Sequence, residues 1–323
     1  MTAPSSLAPR VSGRPAGPAG GRGPAFLSRP RRGGRLHSPR VGLVFVAPFL
    51  LFLILFQYIP IAMLLRNSLF DYTLINREDQ TFVGFDQYAR ILTDADALGT
   101  FGVTLAFAAG VVLLVLPTGF ALALFLNGRF AGRTLVRTIV FLPVVTSVAV
   151  TSTMWLFMLT QNGGLVNGLL ESLGLPRVAF LSSIPWALIS IIVATAWQQI
   201  GFVAVLFLTG LQSVPDDIVE AARVDGAGRV RIAVSIILPL MSRSTLFIVI
   251  TMTVFSLQAF APAFLMTSGG PQGSTSLVVY SIYIAAFRLQ DPGYASALAV
   301  VLLLVALVLS GIQSLALRTR WSY

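Results

Sequence analysis

The sequence predicts an all-α membrane protein: a polytopic bundle of six transmembrane helices, both termini cytoplasmic, with a helical cytoplasmic loop between spans four and five. Three observations predict it. Six apolar stretches are each long enough to cross a bilayer. Charge is scarce, at 11% of 323 residues against 56% hydrophobic, where a soluble domain carries about 25% charged residues. The Arg residues also fall unevenly between alternate loops.

The elements follow in chain order. Residues 1–40 hold seven Pro, seven Gly and eight Arg. Such a segment lacks the apolar surface to offset the entropy of ordering, and a disordered tail is expected. A signal peptide is the rival reading up to residue 66. The apolar run 41–65 exceeds the usual core of about 7–15 residues, however, and no small-residue cleavage site follows. A helix needs roughly 20 apolar residues to cross the hydrocarbon core. The stretches 41–65, 100–126, 138–160, 185–211, 244–266 and 295–317 qualify. They lack barrel-like alternation, and lipid satisfies no backbone group left outside a helix. Helices of a soluble bundle would need polar outer faces, which these runs do not have.

Orientation follows from Arg placement. With the N-terminus in the cytoplasm, the inside holds the tail Arg together with Arg129, Arg133, Arg137, Arg223, Arg229, Arg231, Arg243, Arg318 and Arg320. Only Arg66, Arg77, Arg90, Arg177 and Arg288 fall outside, where eight of the twelve acids lie. Both termini are therefore expected inside a bacterial-type cell membrane. The net charge of +10 is explained by this topology and implies no nucleic acid. The tail Arg either touch anionic lipid headgroups or are simply solvated.

Composition excludes several chemistries. With no Cys, disulfides, thiol catalysis and Cys-based metal sites are absent. All 22 basic residues are Arg, and a phosphate-binding loop needs a Lys to reach the terminal phosphates of a nucleotide. The single His is His37, in the tail, so no His-dependent site is expected in the body of the protein.

The loop at about 212–243 is too long for a simple turn. Ser213 followed by Asp216 reads as a capping box, with Pro215 in the first helical turn. Asp216, Asp217 and Glu220 place negative charge at the positive end of a helix that runs through Val224. Gly226 supplies a left-handed C-cap, and a second helix over 229–237 ends near Pro239. Two surface helices joined at Gly226 suit a docking element for a cytoplasmic partner. An ordinary amphipathic interface helix is the alternative.

Glu220-Ala221-Ala222, three residues, Gly226, nine residues, Ile236, one residue and Leu238-Pro239 reproduce the "EAA" signature of binding-protein-dependent ABC importer permeases. Asp225-Gly226-Ala227 matches its common inner part. The chain resembles that family over roughly residues 41–320, and is most similar to its carbohydrate-uptake branch, the maltose-type and glycerol-phosphate-type permeases. Phe82-Val83-Gly84-Phe85-Asp86-Gln87-Tyr88, Arg133-Thr134-Leu135-Val136-Arg137, Gly269-Gly270-Pro271 and Gly293-Tyr294-Ala295-Ser296-Ala297 support the resemblance. It implies that Glu220, Ala221, Ala222, Asp225 and Gly226 form a coupling helix seated on an ATPase subunit. It further implies a second permease, two ATPase subunits that hold ATP and Mg, and an extracytoplasmic solute-binding protein, with no cofactor on this chain. Import would proceed by alternating access. Arg243 and Ala261 depart from the family pattern, where many relatives have Pro and Asp.

Polar and aromatic residues at depth are few: Trp197, Gln198 and Gln199, with Gly201 one turn beyond Trp197, and Phe255, Ser256 and Gln258. An aromatic ring with uncharged hydrogen-bonding groups suits a sugar-like solute, and the family places its cavity on these helices. Helix–helix packing, with each Gln satisfied by a neighbour, is the competing account. Outer segments 67–99 and 267–294 are either contacts for the binding protein or plain connectors. A membrane enzyme would need a titratable surface cluster. An ion-coupled secondary transporter would need buried acids, and the spans hold none. No Arg lies within the spans either, which favours a neutral solute over a phosphorylated one.

Overall fold

A computed structural model of the protein describes residues 39–73, 75, 80–128 and 130–316. The expected tail, apart from Pro39 and Arg40, lies outside the described residues, as do Arg77, Arg129, Arg318 and Arg320. The chain divides into two compact units, residues 1–53 and 54–323. In the first, α1 (Pro39–Leu53) opens two residues before the expected span. Its side chains from Leu43 to Phe52 are all exposed, and a helix apolar on every face suits lipid.

The second unit opens with a π-turn, Ile54–Tyr58, and α2 (Ile59–Asn67). A minimal hairpin follows, β1 (Phe70–Asp71) antiparallel to β2 (Thr81–Phe82). Next come α3 (Asp86–Thr93), α4 (Ala95–Asn127), α5 (Arg133–Phe141), α6 (Val148–Leu159), α7 (Leu165–Ser172) and α8 (Trp186–Leu211). The chain continues through α9 (Asp216–Val224), α10 (Arg229–Ile232) and α11 (Leu238–Leu240) to α12 (Ser242–Leu257), α13 (Val278–Tyr283) and α14 (Pro292–Ala316). The fold is mostly helical, as expected.

Among the described residues, four helices are long and apolar enough to cross a membrane: Leu43–Asn67, α4, α8 and α14. The count reaches six if each of two bent pairs is one span. The expected straight third span, 138–160, is not continuous. Arg133–Val145 meets Val148–Leu159 at 97°. Pro143 supplies no amide hydrogen, and its carbonyl accepts from the Thr146 hydroxyl at 2.6 Å. Ser147 is then extended, which ends the helix. The expected fifth span, 244–266, stops at Leu257. Residues 258–260 leave the helix, and the chain becomes helical again at Ala261–Pro262, with the proline in a first turn where its missing amide hydrogen costs little, before the π-turn Ala263–Thr267. Residues 267–294, weighed as a plain connector, hold the apolar helix Val278–Arg288. At about 1.5 Å per residue it is too short to span.

α4 and α8 form the centre. Phe107, Val111, Val115, Phe120 and Ala123 of α4 share one buried cluster with Ile191, Ala194, Val203, Phe207 and Leu211 of α8. Phe120 and Phe207 meet edge to face at 5.2 Å. The Thr104 hydroxyl accepts from the Val278 amide at 2.9 Å and fixes α13 to α4. Gln313 Nε2 donates to Thr253 Oγ1 at 2.8 Å and ties α14 to α12.

Two of the resemblance-bearing segments, 82–88 and 293–297, converge at the start of α14. A Cβ on Gly293 would lie 2.2 Å from the Phe70 carbonyl oxygen and 3.5 Å from Gln87 Nε2. Asp291 accepts from the Tyr294 amide at 3.0 Å, capping α14. Its other oxygen takes Arg90 at 2.8 Å, and the Arg90 guanidinium lies 4.2 Å above the Tyr294 ring. Asp291→Ala removes cap and ion pair together and is expected to cost about 1–2 kcal/mol. Asp291→Asn should recover most of the loss in a thermal melt, because the cap survives.

Candidate functional site

The signature loop forms two helices, as its sequence implies, but starts differently. Ser213 Oγ donates to the Gly210 carbonyl at 2.7 Å and leaves α9 uncapped by any side chain. The capping box is therefore not formed. Pro215 is the N-cap, with an extended backbone. Its ring fixes φ at the entry to the helix but accepts no hydrogen bond, so no side chain caps the first amides of α9. Asp216 and Asp217 occupy the first turn, at the positive end of the helix.

The other end of α9 matches the expectation. Gly226 has φ +78°. Its amide donates to the Arg223 carbonyl and that of Ala227 to the Ala222 carbonyl, both at 3.0 Å. These two bonds are the Schellman closure, which needs a residue tolerant of left-handed φ. A side chain on Gly226 would meet nothing within 4 Å, so backbone conformation alone demands glycine here. Gly226→Ala is expected to cost about 1 kcal/mol and Gly226→Val more, with Gly226→Asn the best tolerated. Melting curves of the purified membrane complex rank the three.

Burial divides the signature. Ala222 is 8% exposed and packs into the bundle, while Glu220, Ala221 and Asp225 are exposed. Val224, Val230 and Val234 are 88%, 77% and 55% exposed, and Ile218 is exposed as well. The second helix does not end at Ile237. It runs over Arg229–Leu240 through the π-turn Ala233–Ile237, and turns by 83° into α12. Pro239 sits in its last turn rather than after it. Ile232, Ile237 and Met241 are buried and anchor this half of the loop. Arg243 lies at the entry to α12, exposed, beside a cavity between α8 and α12 that Gly210, Ser244 and Phe247 also line.

The residues expected along a solute path fall into two groups. Trp197 is partly exposed on α8 and meets Trp155 of α6 edge to face at 5.9 Å. Phe255 is exposed on α12, and Gln258 is exposed at its C-cap. Ser256 is wholly buried, and its hydroxyl has no partner among the described residues. Gln198 and Gly201 both make packing contacts. Gln198 is 3% exposed, and its Nε2 donates to the Thr146 carbonyl at 3.0 Å. That bond satisfies a backbone group freed where the third span breaks. A Cβ on Gly201 would lie 2.2 Å from the Val140 carbonyl oxygen, so the glycine lets the α5 segment lie directly on α8.

One feature was not read from the sequence. Phe260, Phe264, Tyr283 and Phe287 form a continuous row, with successive ring centroids 5.0, 5.3 and 5.5 Å apart, and Tyr280 flanks Phe264 at 6.2 Å. The spacing of 280, 283 and 287 is helical and was a usable signal. The segment between Gly273 and Gly293 passed as a loop because of its flanking Gly and Pro.

A cavity of about 490 Å³ opens between α5 and α8, lined by Leu126, Arg137, Thr138, Val140, Phe141, Leu142, Val145, Gly201, Ala204, Val205 and Leu208. Away from the spans, Glu171 hydrogen-bonds Arg177 and holds its guanidinium pKa above the ordinary value. No cluster of His, Cys, Asp or Glu suited to a metal occurs among the described residues.

The family model described as binding-protein-dependent transport system inner membrane component matches residues 115–320. The chain belongs to this family of ABC importer permeases. As a permease subunit it is a non-catalytic, multi-pass component of the membrane. It is 32% identical to a probable ABC transporter permease, YurN, of Bacillus subtilis, over 84% of this chain and 93% of that one. It is likewise 32% identical to the trehalose/maltose transport system permease MalF of Thermococcus litoralis, over 84% and 92%. Its fold is similar to a chain of a bacterial alginate ABC transporter crystallised with an alginate pentasaccharide-bound periplasmic protein. The TM-score is 0.74 at 23% identity, covering 86% of this permease and 94% of that chain.

Proposed function

We propose that this permease carries a neutral sugar or sugar-like solute inward as one half of a two-permease pathway. It does so with a solute-binding protein outside and two ATPase chains inside. In this reading residues 41–320 are the permease domain and cross the membrane six times. The bent pairs α5–α6 and α10–α12 each count as one span, and both termini and the 1–40 tail are cytoplasmic. The loop at 212–243 is the coupling element. Closure of the ATPase pair around nucleotide draws the loop toward its counterpart on the second permease and opens the pathway outward. A glycerol phosphate, being anionic, is the alternative to a neutral solute.

The observation that carries this reading is the exposed face of α9. Glu220 and Ala221 are exposed on α9 with Ile218 and Val224, and Val230 and Val234 are exposed on the helix that follows, while Ala222 is buried. Exposed apolar side chains among exposed acids, at a corner closed by Gly226, suit docking onto a folded partner. The maltose- and trehalose-type relative supports the solute class. So does the row Phe260–Phe264–Tyr283–Phe287, whose rings suit the C–H faces of a sugar.

Co-purification tests it. ATPase chains should accompany the wild-type permease, and Glu220→Lys should lose them or lose ATP-driven uptake while the membrane domain stays folded. A Glu220→Lys complex with intact ATPase and full uptake would remove the coupling role from α9.

A further inference from the structure

We propose that the cavity between α5 and α8 is a site for one anionic glycerophospholipid of the inner leaflet, with an acyl chain in the cavity and its phosphate on Arg133 and Arg137. The inference rests on the orientation proposed above, which puts the start of α5 at the cytoplasmic surface.

At about 490 Å³ the cavity falls within the range of small-molecule sites, roughly 300–1,000 Å³. Its walls are Val140, Leu142, Val145, Ala204 and Leu208, with Arg137 and Thr138 the only charged or hydroxylated residues. A saccharide needs many hydrogen-bonding partners and finds almost none here. An acyl chain needs none.

The cations supply the other half. Arg137 Nη2 donates to the Leu126 carbonyl at 3.3 Å, but its Nε is buried without an acceptor, and so is that of Arg133. Neither has an acidic partner among the described ion pairs. A buried charged donor left unsatisfied is costly, and an anion is the acceptor that would complete it. The two Arg are one helical turn apart and share a face of α5. Gly132, the N-cap, offers no side chain to the first amides of the helix, which strengthens the preference for negative charge there. Planar guanidinium groups take phosphate oxygens in pairs.

The placement of α5 agrees. It carries Arg133 and Arg137 together with the exposed apolar residues Leu135, Ile139 and Phe141, a pattern suited to the headgroup boundary. The 97° turn into Val148–Leu159 sets it across the direction of α6. Basic pockets between spans on the cytoplasmic side select anionic headgroups.

The test uses the complete complex with its partner chains, reconstituted in phosphatidylcholine with an equal share of phosphatidylglycerol, then stripped in detergent. Native mass spectrometry counts the lipid retained. The wild type should keep phosphatidylglycerol in preference to phosphatidylcholine. Arg133→Gln with Arg137→Gln should lower that retention by about fivefold for each Arg. Val205→Trp fills the mouth of the cavity and should expel the lipid with both Arg intact. Equal retention of the two lipids by wild type, or unchanged retention in either variant, overturns the proposal.

The chain has no Cys, so single introduced thiols report cleanly. A cross-link from Val205→Cys to the second permease would make the cavity a subunit interface and overturn the lipid site. Leu135→Cys labelled from outside the cell by a membrane-impermeant reagent would overturn the orientation itself. Leu135→Cys shielded from outside, without lipid preference, overturns this inference alone.

Discussion

Gly201→Ala is expected to be among the most damaging single-methyl changes at the described residues. The added carbon would sit 2.2 Å from the Val140 oxygen and 3.1 Å from the Val140 carbonyl carbon. Both are backbone atoms and cannot rotate aside. Gly119→Ala is the instructive contrast. There the obstruction is Val203 Cγ1 at 2.6 Å, a side-chain methyl with other rotamers. Gly102→Ala is the control, since nothing lies within 4 Å. Overpacking a tight interface costs about 1–3 kcal/mol, and an immovable backbone puts Gly201 at the upper end, about 3 kcal/mol. Because the segment displaced is α5 with its following turn, the Gln198–Thr146 bond and the Arg137–Leu126 bond should be lost with it. Thermal melts of the complex should rank Gly201→Ala well below Gly119→Ala and Gly102→Ala below neither. Equal melting of the Gly201 and Gly102 variants would mean that α5 does not lie on α8 at this distance.

Asn167→Leu is the second large effect. Asn167 is 1% exposed on α7. Its Nδ2 donates to the Val178 carbonyl at 3.0 Å, and its Oδ1 accepts from the Val178 amide at 2.8 Å. One side chain thus satisfies both backbone groups of a residue in the irregular stretch between α7 and α8. Leucine matches the volume and offers neither bond. Two part-buried backbone groups lose their partner, at about 1 kcal/mol each, so a loss of about 2 kcal/mol is expected. Asn167→Asp keeps the acceptor, lacks the donor and buries a charge, and should do no better at neutral pH. Limited proteolysis within 173–185, alongside melting, is the direct measurement. A cleavage rate unchanged from wild type would show that the stretch is held by something else.

The helical class and most of the apolar elements were legible from apolar run length and charge scarcity. The signature loop was legible in more detail, because its determinants are local: acids at 216 and 217, small residues at 221 and 222, and glycine where φ must be positive. The start of α9 was not, since Ser213 had two acceptable uses, and the choice of the Gly210 carbonyl depends on how α8 ends. The break in the third span was hidden for a related reason. Pro143 is compatible with a mild kink or a full turn, and the turn holds because Gln198, 52 residues away, receives the freed Thr146 carbonyl. That same partnership gives Gln198 a structural role that its sequence position does not distinguish from contact with a solute. A buried amide reads identically in sequence whether it faces a ligand or a neighbouring backbone. Trp197 and Phe255 kept their exposure, and the aromatic row from Phe260 to Phe287 escaped notice because two of its rings lie across a loop from the others.

The closed corner at Gly226 has a mechanical consequence. Its carbonyls are already engaged at 3.0 Å on both turns, so the elbow between the two surface helices has no slack to absorb displacement. Its roots, Leu211 at the end of α8 and Met241 before α12, are buried at 7% and 1% exposure. In the coupling role proposed above, a push at Glu220 would be transmitted as torque on both helices at once. Such a loop would work as a rigid crank rather than a tether, its stiffness setting how much of each partner stroke reaches the middle of the membrane.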